Sequence, residues 1–491
     1  MANPTTLLWH DYETTGADPR RDRPLQFACL RTSVDLEPLG PTQVYWCQPP
    51  VDALVSPRAT LTTGLAPDDC AARGDTEARF ADQVHEVLAE PGTCAVGYNS
   101  LRFDDEVTRH LLYRSFHDPY AREWRNDNSR WDLIDLARMA AALRPDGIAW
   151  PQVDGRTSFR LQDLAAANGL IAEAAHDAAS DVHTTLALGR LLRDRQRRLW
   201  DWYWTLRRKQ AVQALLDWRL RAPVLHVSSR YPAARRHVAI IAPLAVHPER
   251  PNEIIVCDLV EPVDELLALD VDDIADRVFT ARADLPEDVT RIALRTVHIN
   301  RCPALAPLAT LRADDARRLG IDVEACLERA SRIAVNTGLA DKVRSVYARA
   351  AGMPPAQDVD AALYAGFLPD ADRGLLEAMR TSPPQRLATI GERFGDRRYR
   401  ELAFRFRARN FPQSLNVDEV ERWHAHCRKR LIDGDAGAGA AWRSWRTELA
   451  ACRSERTGDG AALALLDRLE DWTLRCLAQA GGSPPDAPGS L

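Results

Sequence analysis

Over the first two hundred residues, short apolar runs alternate with segments of helical spacing. Thr6–Glu13, Leu25–Thr32 and Gln43–Cys47 read as three strands separated by polar or Pro-containing turns. Ala78–Leu88 carries apolar residues at helical intervals, and Thr93–Tyr98 is a further short apolar strand. The run Asp104-Asp105-Glu106 then opens a helix, where the helix dipole favours negative charge. Residues 132–143, 160–167 and 177–192 read as three more helices. Strands followed by alternating helix and strand predict an α/β layer fold ending near residue 195. Beyond it the pattern changes. His237–Val246, Glu253–Val260 and Arg291–Asn300 are rich in Val and Ile and predict strands of a small β-rich domain. From Gly352-Met353-Pro354-Pro355 onward the spacing is almost wholly helical, and the Gly-, Ser- and Pro-rich residues 481–491 read as a disordered tail.

Length and composition narrow the class without naming a chemistry. A chain of 491 residues exceeds one ordinary core and predicts about three domains. With 45% hydrophobic and 27% charged residues it has the balance of a globular protein. No apolar run approaches the ~20 residues of a membrane helix, and the N-terminus lacks a secretory signal. Ten cysteines without a Cys-x-x-Cys pair argue against a zinc site and predict reduced thiols in the cytoplasm. A net charge of −6 does not mark a nucleic-acid binder, and the excess of Arg over Lys reflects base composition more simply than a need for guanidinium. Local charge says more. Residues 190–222 carry ten basic side chains against Asp194, Asp201 and Asp217, and enclose Trp200, Trp202, Tyr203 and Trp204; a second basic, aromatic stretch runs from Arg393 to Arg409. Such stretches suit a single-stranded nucleic acid, or else are helices with aromatics turned to the core and arginines to water.

The candidate chemistry begins at His10-Asp11-Tyr12-Glu13-Thr14-Thr15-Gly16. On a strand, residues two apart share a face, so Asp11 and Glu13 present two carboxylates together, an arrangement that a hard divalent cation relieves. Asp104 stands at a helix start just after a strand, although Asp105 or Glu106 is an alternative acid there. His176-Asp177-Ala178-Ala179-Ser180-Asp181 puts a histidine before a long helix and a carboxylate one turn inside it. Four carboxylates, Asp11, Glu13, Asp104 and Asp181, suffice for two divalent ions acting on a phosphodiester, and His176 titrates in the range of a general base.

In their order, these three motifs resemble the DEDD 3′–5′ exonucleases of the histidine subtype, and within them the bacterial exodeoxyribonuclease I family. The likeness extends to Asn128-Ser129-Arg130-Trp131-Asp132, Leu143-Arg144-Pro145, Val297-His298-Ile299-Asn300 and Arg407-Ala408-Arg409-Asn410-Phe411-Pro412. It is weakest from about residue 432. The resemblance implies an α/β multidomain protein: a ribonuclease-H-like exonuclease domain (1–198), an SH3-like β-rich domain (199–350), a helical domain (351–480) and a tail (481–491), forming a C-shaped body around a groove for the strand. It implies removal of 5′-mononucleotides from the 3′ end of single-stranded DNA, in repair and recombination, by a monomer of the bacterial cytosol. Asp11, Glu13, Asp104 and Asp181 would hold two Mg²⁺ ions, with Mn²⁺ as a substitute, and His176 would be the base. Glu13, Arg160, Arg109, Tyr120, Trp124, Arg138 and Lys209 would contact the strand. Arg144 would help dock the acidic C-terminal tail of single-stranded DNA-binding protein, with Trp202 where the family has a tyrosine. A chain ending near residue 350 is expected to cleave, but distributively. Competing readings are a proofreading or RNA-trimming exonuclease, usually a single domain, and an inactive recruitment protein bound to strand ends, against which the four intact carboxylates argue.

Overall fold

Nine consecutive residues, Thr6–Thr14, form β1, the strand on which the first sheet is built. The computed structural model describes residues 5–170, 177–287, 289–349, 358–434 and 439–483. The chain divides into two compact units, one of 1–128, 172–183 and 354–491, the other of 129–171 and 184–353.

In the first unit, β1 lies between β2 (Pro24–Ser33), antiparallel to it, and β4 (Thr93–Gly97), parallel to it, with β3 (Gln43–Trp46) beyond β2. Leu8 and Tyr12 of β1 join Phe27 and Cys29 of β2 in a core with Phe80, Val84 and Leu88 of the Glu77–Ala89 helix and Val107 and Leu111 of the Asp104–Arg114 helix. Alternation sends Trp9, Asp11 and Glu13 to the other face. Trp9 is buried there, its indole donating to Thr32 Oγ1 at 3.0 Å.

The helices beyond residue 358 bury their apolar faces within this same unit. Tyr113 and Phe116 pack with Leu375, Met379, Phe394, Tyr399 and Phe406, and Val55 packs with Trp442, Trp445, Leu449 and Leu466. Buried ion pairs tie the segments further. Arg409 reaches both Asp52 (2.7 Å) and Asp360 (2.5 Å), Arg23 reaches Glu77 (2.8 Å) and Asp360 (3.1 Å), and Arg405 and Arg430 meet Asp358 and Asp360.

This revises the basic stretch at 393–409 as a lining for a strand. Arg398, Arg405, Arg407 and Arg409 are each committed to carboxylates, of Asp396, Asp358, Glu419 and Asp52 among others, while Tyr399, Phe404 and Phe406 are buried. Most of its charge neutralises internal acids instead of facing phosphate.

The second unit holds a five-stranded antiparallel sheet in the order Leu294–His298, Glu253–Asp258, Val238–Val246, Val224–Val227, Ala304–Pro307. Three of these strands were legible as Val/Ile-rich runs. Val224–Val227 and Ala304–Pro307 are four residues each, too short for a period to register. In the aromatic stretch at 190–222, Trp200 and Tyr203 of the Arg197–Thr205 helix are buried beside Trp131, at 4.5 and 5.7 Å between ring centroids, and Arg207 lies 3.7 Å from the Trp204 ring. Here too Trp200 and Tyr203 face a core. No helix among the described residues is long and apolar enough to cross a membrane. All ten cysteines are free and buried. The Gly352–Pro355 boundary and residues 484–491 of the expected tail lie outside the described residues.

Candidate active site

Register fixes which groups meet at the end of β1. Asp11 pairs across to Ala28 and Glu13 to Gln26, and directly opposed residues share a face. Immediately after Glu13 the register slips, a bulge of the kind that ends pairing near functional sites. Gly16 then turns the chain under the Asp22 carboxylate, which a Cβ at that position would meet at 2.4 Å. From the other side, Gln26 Oε1 accepts from the backbone N–H of Ala178 at 3.2 Å and so anchors the start of the Ala178–Arg195 helix. One turn in, that helix delivers Asp181. One carboxylate oxygen from each of Asp11, Glu13 and Asp181 lies within 4.8 Å of the other two, in half-buried positions. Among the described residues no other His, Cys, Asp and Glu side chains gather in this way.

The cluster is electrostatically costly without a cation. Burial, then the charges of Asp104 and Asp181, push Asp11 well above the ordinary carboxylate range. Burial, followed by Asp11, Asp181 and Asp177, pushes Glu13 up to about 9.

Asp104 begins the Asp104–Arg114 helix and is 3% exposed. The chain reaches it from β4 through Gly97, where a Cβ would lie 2.6 Å from that of Ser100, and Asn99, in the left-handed region at φ 61°. It stands outside the three-carboxylate cluster yet close enough to raise Asp11. Its two neighbours are already engaged: Asp105 accepts from Arg122 at 2.6 Å, and Glu106 is held by Arg109 at 2.8 Å and by the Tyr364 hydroxyl at 2.5 Å. Of the three acids in this turn, Asp104 is the one directed electrostatically at Asp11. Thr108 ties the helix to β1, its hydroxyl 2.9 Å from that of Tyr12.

His176 lies outside the described residues. His10, beside the cluster in sequence, is buried and pushed down to about 4, by burial first, so it stays neutral near pH 7. In the first unit, Arg109 is 4% exposed and held by Glu106 and by both oxygens of Glu123. Tyr120 is half-buried, its ring centroid 5.5 Å from the Arg109 guanidinium, while Trp124 is 58% exposed beside Arg125. The remaining candidates belong to the second unit. Arg160 is exposed and immediately precedes the Leu161–Ala167 helix. Arg138 pairs with Asp135 at 2.7 Å, and Lys209 Nζ donates to Asn252 at 2.7 Å. Arg144 donates to the Thr310 carbonyl at 2.9 Å and lies 3.3 Å from Asp315, and the Trp202 indole donates to the Leu305 carbonyl at 2.8 Å. Sequence reasoning missed Tyr364, because nothing in a helical, Ala-rich stretch signals contact with a helix 250 residues earlier.

Comparison with known proteins decides the family. An exonuclease family model matches residues 8–188, the exonuclease I SH3-like domain matches 207–349, and the exonuclease I C-terminal domain matches 357–476. Exodeoxyribonuclease I of Escherichia coli K12 is 44% identical over 426 residues, 87% of this chain and 90% of that protein. The chain belongs to the exonuclease I family. The structure of E. coli exonuclease I in complex with a dA16 oligonucleotide superposes with a TM-score of 0.91 at 41% identity, covering 96% of this chain and all of that one. The zinc-ion-bound form of the E. coli enzyme with single-stranded DNA gives 0.90 at 41%, covering 96% and 99%. The expected α/β exonuclease, SH3-like and C-terminal helical parts are thus all present.

Proposed function

We propose that this member of the exonuclease I family degrades single-stranded DNA from its 3′ end, releasing 5′-mononucleotides by hydrolysis that requires two divalent ions, Mg²⁺ with Mn²⁺ as a substitute. The observation that carries the reading is the convergence of Asp11, Glu13 and Asp181 at one end of β1. Carboxylates whose burial and mutual repulsion raise their own proton affinity fit a hard cation and little else. Asp11, Glu13, Asp104 and Asp181 would hold the ions. Bound there, they would supply Lewis-acid stabilisation of charge on the phosphoryl oxygens. His176 accepts the proton of the attacking water, and Glu13 also borders the 3′ nucleotide. Arg160, Arg138 and Lys209 offer charge to phosphates and Tyr120 and Trp124 offer rings to bases, with Arg109 as a further contact. Incubation with Mg²⁺ and labelled single strand, beside duplex, RNA and EDTA controls, tests this. The single strand should shorten from its 3′ end and the others persist. Trimming of RNA instead would favour the RNA-processing reading, and binding without cleavage the recruitment reading.

We place the domains at 1–198, 199–350 and 351–480, in a monomeric enzyme of the bacterial cytosol that serves DNA repair and recombination. His176→Ala is expected to cut turnover by about 10²–10⁴ while strand binding holds, the usual worth of a positioned general base. Stopped-flow turnover beside fluorescence anisotropy checks it, and near-normal turnover at neutral pH would remove His176 from that role. The surface including Arg144 and Trp202 is proposed to dock the acidic C-terminal tail of single-stranded DNA-binding protein. Such a peptide should bind less tightly as salt rises and less tightly to Arg144→Ala; equal affinity for both would exclude Arg144.

The raised carboxylates also predict how the metal-free protein responds to pH. A group whose folded pKa is raised binds more protons folded than unfolded, so its stabilisation is full below the ordinary carboxylate pKa and lost as pH rises through the folded value. For Glu13 that window runs from about 4.5 to about 9. In EDTA the melting temperature should therefore fall across this window, and Mg²⁺ should restore it most at the alkaline end. Glu77, lowered to about 2 under the influence of Arg114 and Arg23 against the cost of its burial, loses its contribution only in acid, outside that window. A melting temperature independent of Mg²⁺ at pH 8 would contradict the site.

A further inference from the structure

Three side chains in the first two turns of the Asp104–Arg114 helix are gripped by one tyrosine from a distant part of the chain. The Tyr364 hydroxyl donates to Glu106 Oε2 at 2.5 Å and accepts from Arg109 Nη1 at 3.2 Å, and its ring packs edge-on against His110 at 5.8 Å. Arg109 is meanwhile clamped on Glu106 Oε1 at 2.8 Å and on Glu123 at 2.7 and 2.9 Å. Glu106 is two residues from Asp104 and buried with it. The start of this helix has no side-chain cap: Phe103 occupies the capping position and offers no acceptor. Its placement rests on the packing of Val107 and Leu111 in the core and on lateral ties, to β1 through Thr108 and Tyr12, to Arg122 through Asp105, and to Tyr364 through Glu106.

We infer that Tyr364 is a positioning residue for the active site: it fixes the first turn of this helix, and with it the Asp104 carboxylate. The inference rests on the reading of Asp104 as a metal-holding group. Tyr364 lies in the stretch matching the C-terminal domain model, and Asp104 in the stretch matching the exonuclease model. The C-terminal segment thus takes part in the chemistry, beyond any part it has in holding the strand. A helix moves as a unit, so loss of the donor to Glu106 is felt at Asp104 through about half a turn of rigid backbone. Outer contacts of this kind are worth about 10–100-fold in metal affinity or activity.

The test is Tyr364→Phe, which deletes the hydroxyl and keeps the ring. Calorimetric titration of the full chain with Mn²⁺ should show affinity lowered about tenfold. Turnover number should fall, with KM for an oligothymidylate unchanged and the melting temperature in EDTA lowered modestly, because a buried carboxylate loses a donor. Glu106→Gln, which leaves an oxygen to accept from Tyr364 but removes the charge that holds Arg109, should also lower Mn²⁺ affinity. Wild-type Mn²⁺ affinity and turnover in Tyr364→Phe would overturn the inference, as would a lowered melting temperature with turnover intact, the mark of a purely structural tie. Asp104→Asn, run beside it, separates the two layers. If it binds Mn²⁺ like the wild type, the assignment of Asp104 fails; if it does not, and Tyr364→Phe does, only the role of Tyr364 fails.

Discussion

Asp11→Asn should abolish strand cleavage and at the same time raise the melting temperature of the metal-free protein at pH 8. The two effects have one cause. Asp11 sits half-buried beside Asp181 and Glu13, and burial, then the charges of Asp104 and Asp181, raise its pKa well above the carboxylate range. The folded protein tolerates that repulsion because a cation removes it. An amide of the same shape removes it without a cation, so the apoprotein gains stability. The amide also surrenders an anionic ligand, and activity falls by at least the 10²–10⁴ expected for loss of the base. Differential scanning calorimetry in EDTA and a gel time course measure the two quantities on one preparation. A variant destabilised in EDTA would show that Asp11 makes a favourable contact in the apoprotein. A variant that still cleaves would show that the ions are held elsewhere.

Arg409→Met should be the most destabilising single substitution in the helical segment, by about 3–5 kcal/mol, the cost of breaking a buried ion pair by removing one partner. Its guanidinium bonds both carboxylate oxygens of Asp52 and both of Asp360, and Asp52 is fully buried. Both acids are held well below the ordinary range despite their burial, chiefly by Arg409. Urea denaturation at pH 7 reads the loss, and Arg58→Ala, which breaks a surface pair with Glu455, should change little. The same network revises what truncation does. A chain ending near residue 350 would lose Asp358, Asp360, Arg405, Arg409 and Arg430, strand Asp52 without a cation, and leave Arg23 with Glu77 as its remaining carboxylate. It would also expose Tyr113 and Phe116, whose packing partners are Leu375, Phe394 and Tyr399. Such a fragment is expected to misfold or precipitate instead of cleaving distributively.

What the sequence made legible follows from how local each signal is. The parity of Asp11 and Glu13 on β1, and the place of Asp181 one turn into its helix, need only period-two and period-3.6 rules, and the structure brings these three together. The choice among Asp104, Asp105 and Glu106 is open in the sequence because the contacts of Asp105 with Arg122, and of Glu106 with Arg109 and Tyr364, are set by the fold. The basic stretch at 393–409 misled for a related reason: its counter-charges, Asp52, Asp358, Asp360 and Glu419, are spread over nearly 370 residues, so local composition counted the arginines and not their partners. In the aromatic stretch at 190–222 the core partner of Trp200 and Tyr203 is Trp131, some 70 residues away.

The most direct test of the central claim is to locate the ion itself. A crystal of the protein soaked in Mn²⁺, measured for anomalous scattering at the manganese edge, should show a peak within coordination distance of the carboxylates of Asp11, Glu13 and Asp181. The same experiment on Asp181→Asn should lose or weaken it. A peak elsewhere, with none among these three side chains in the wild type, would contradict the assignment of this cluster as the metal centre of a nuclease.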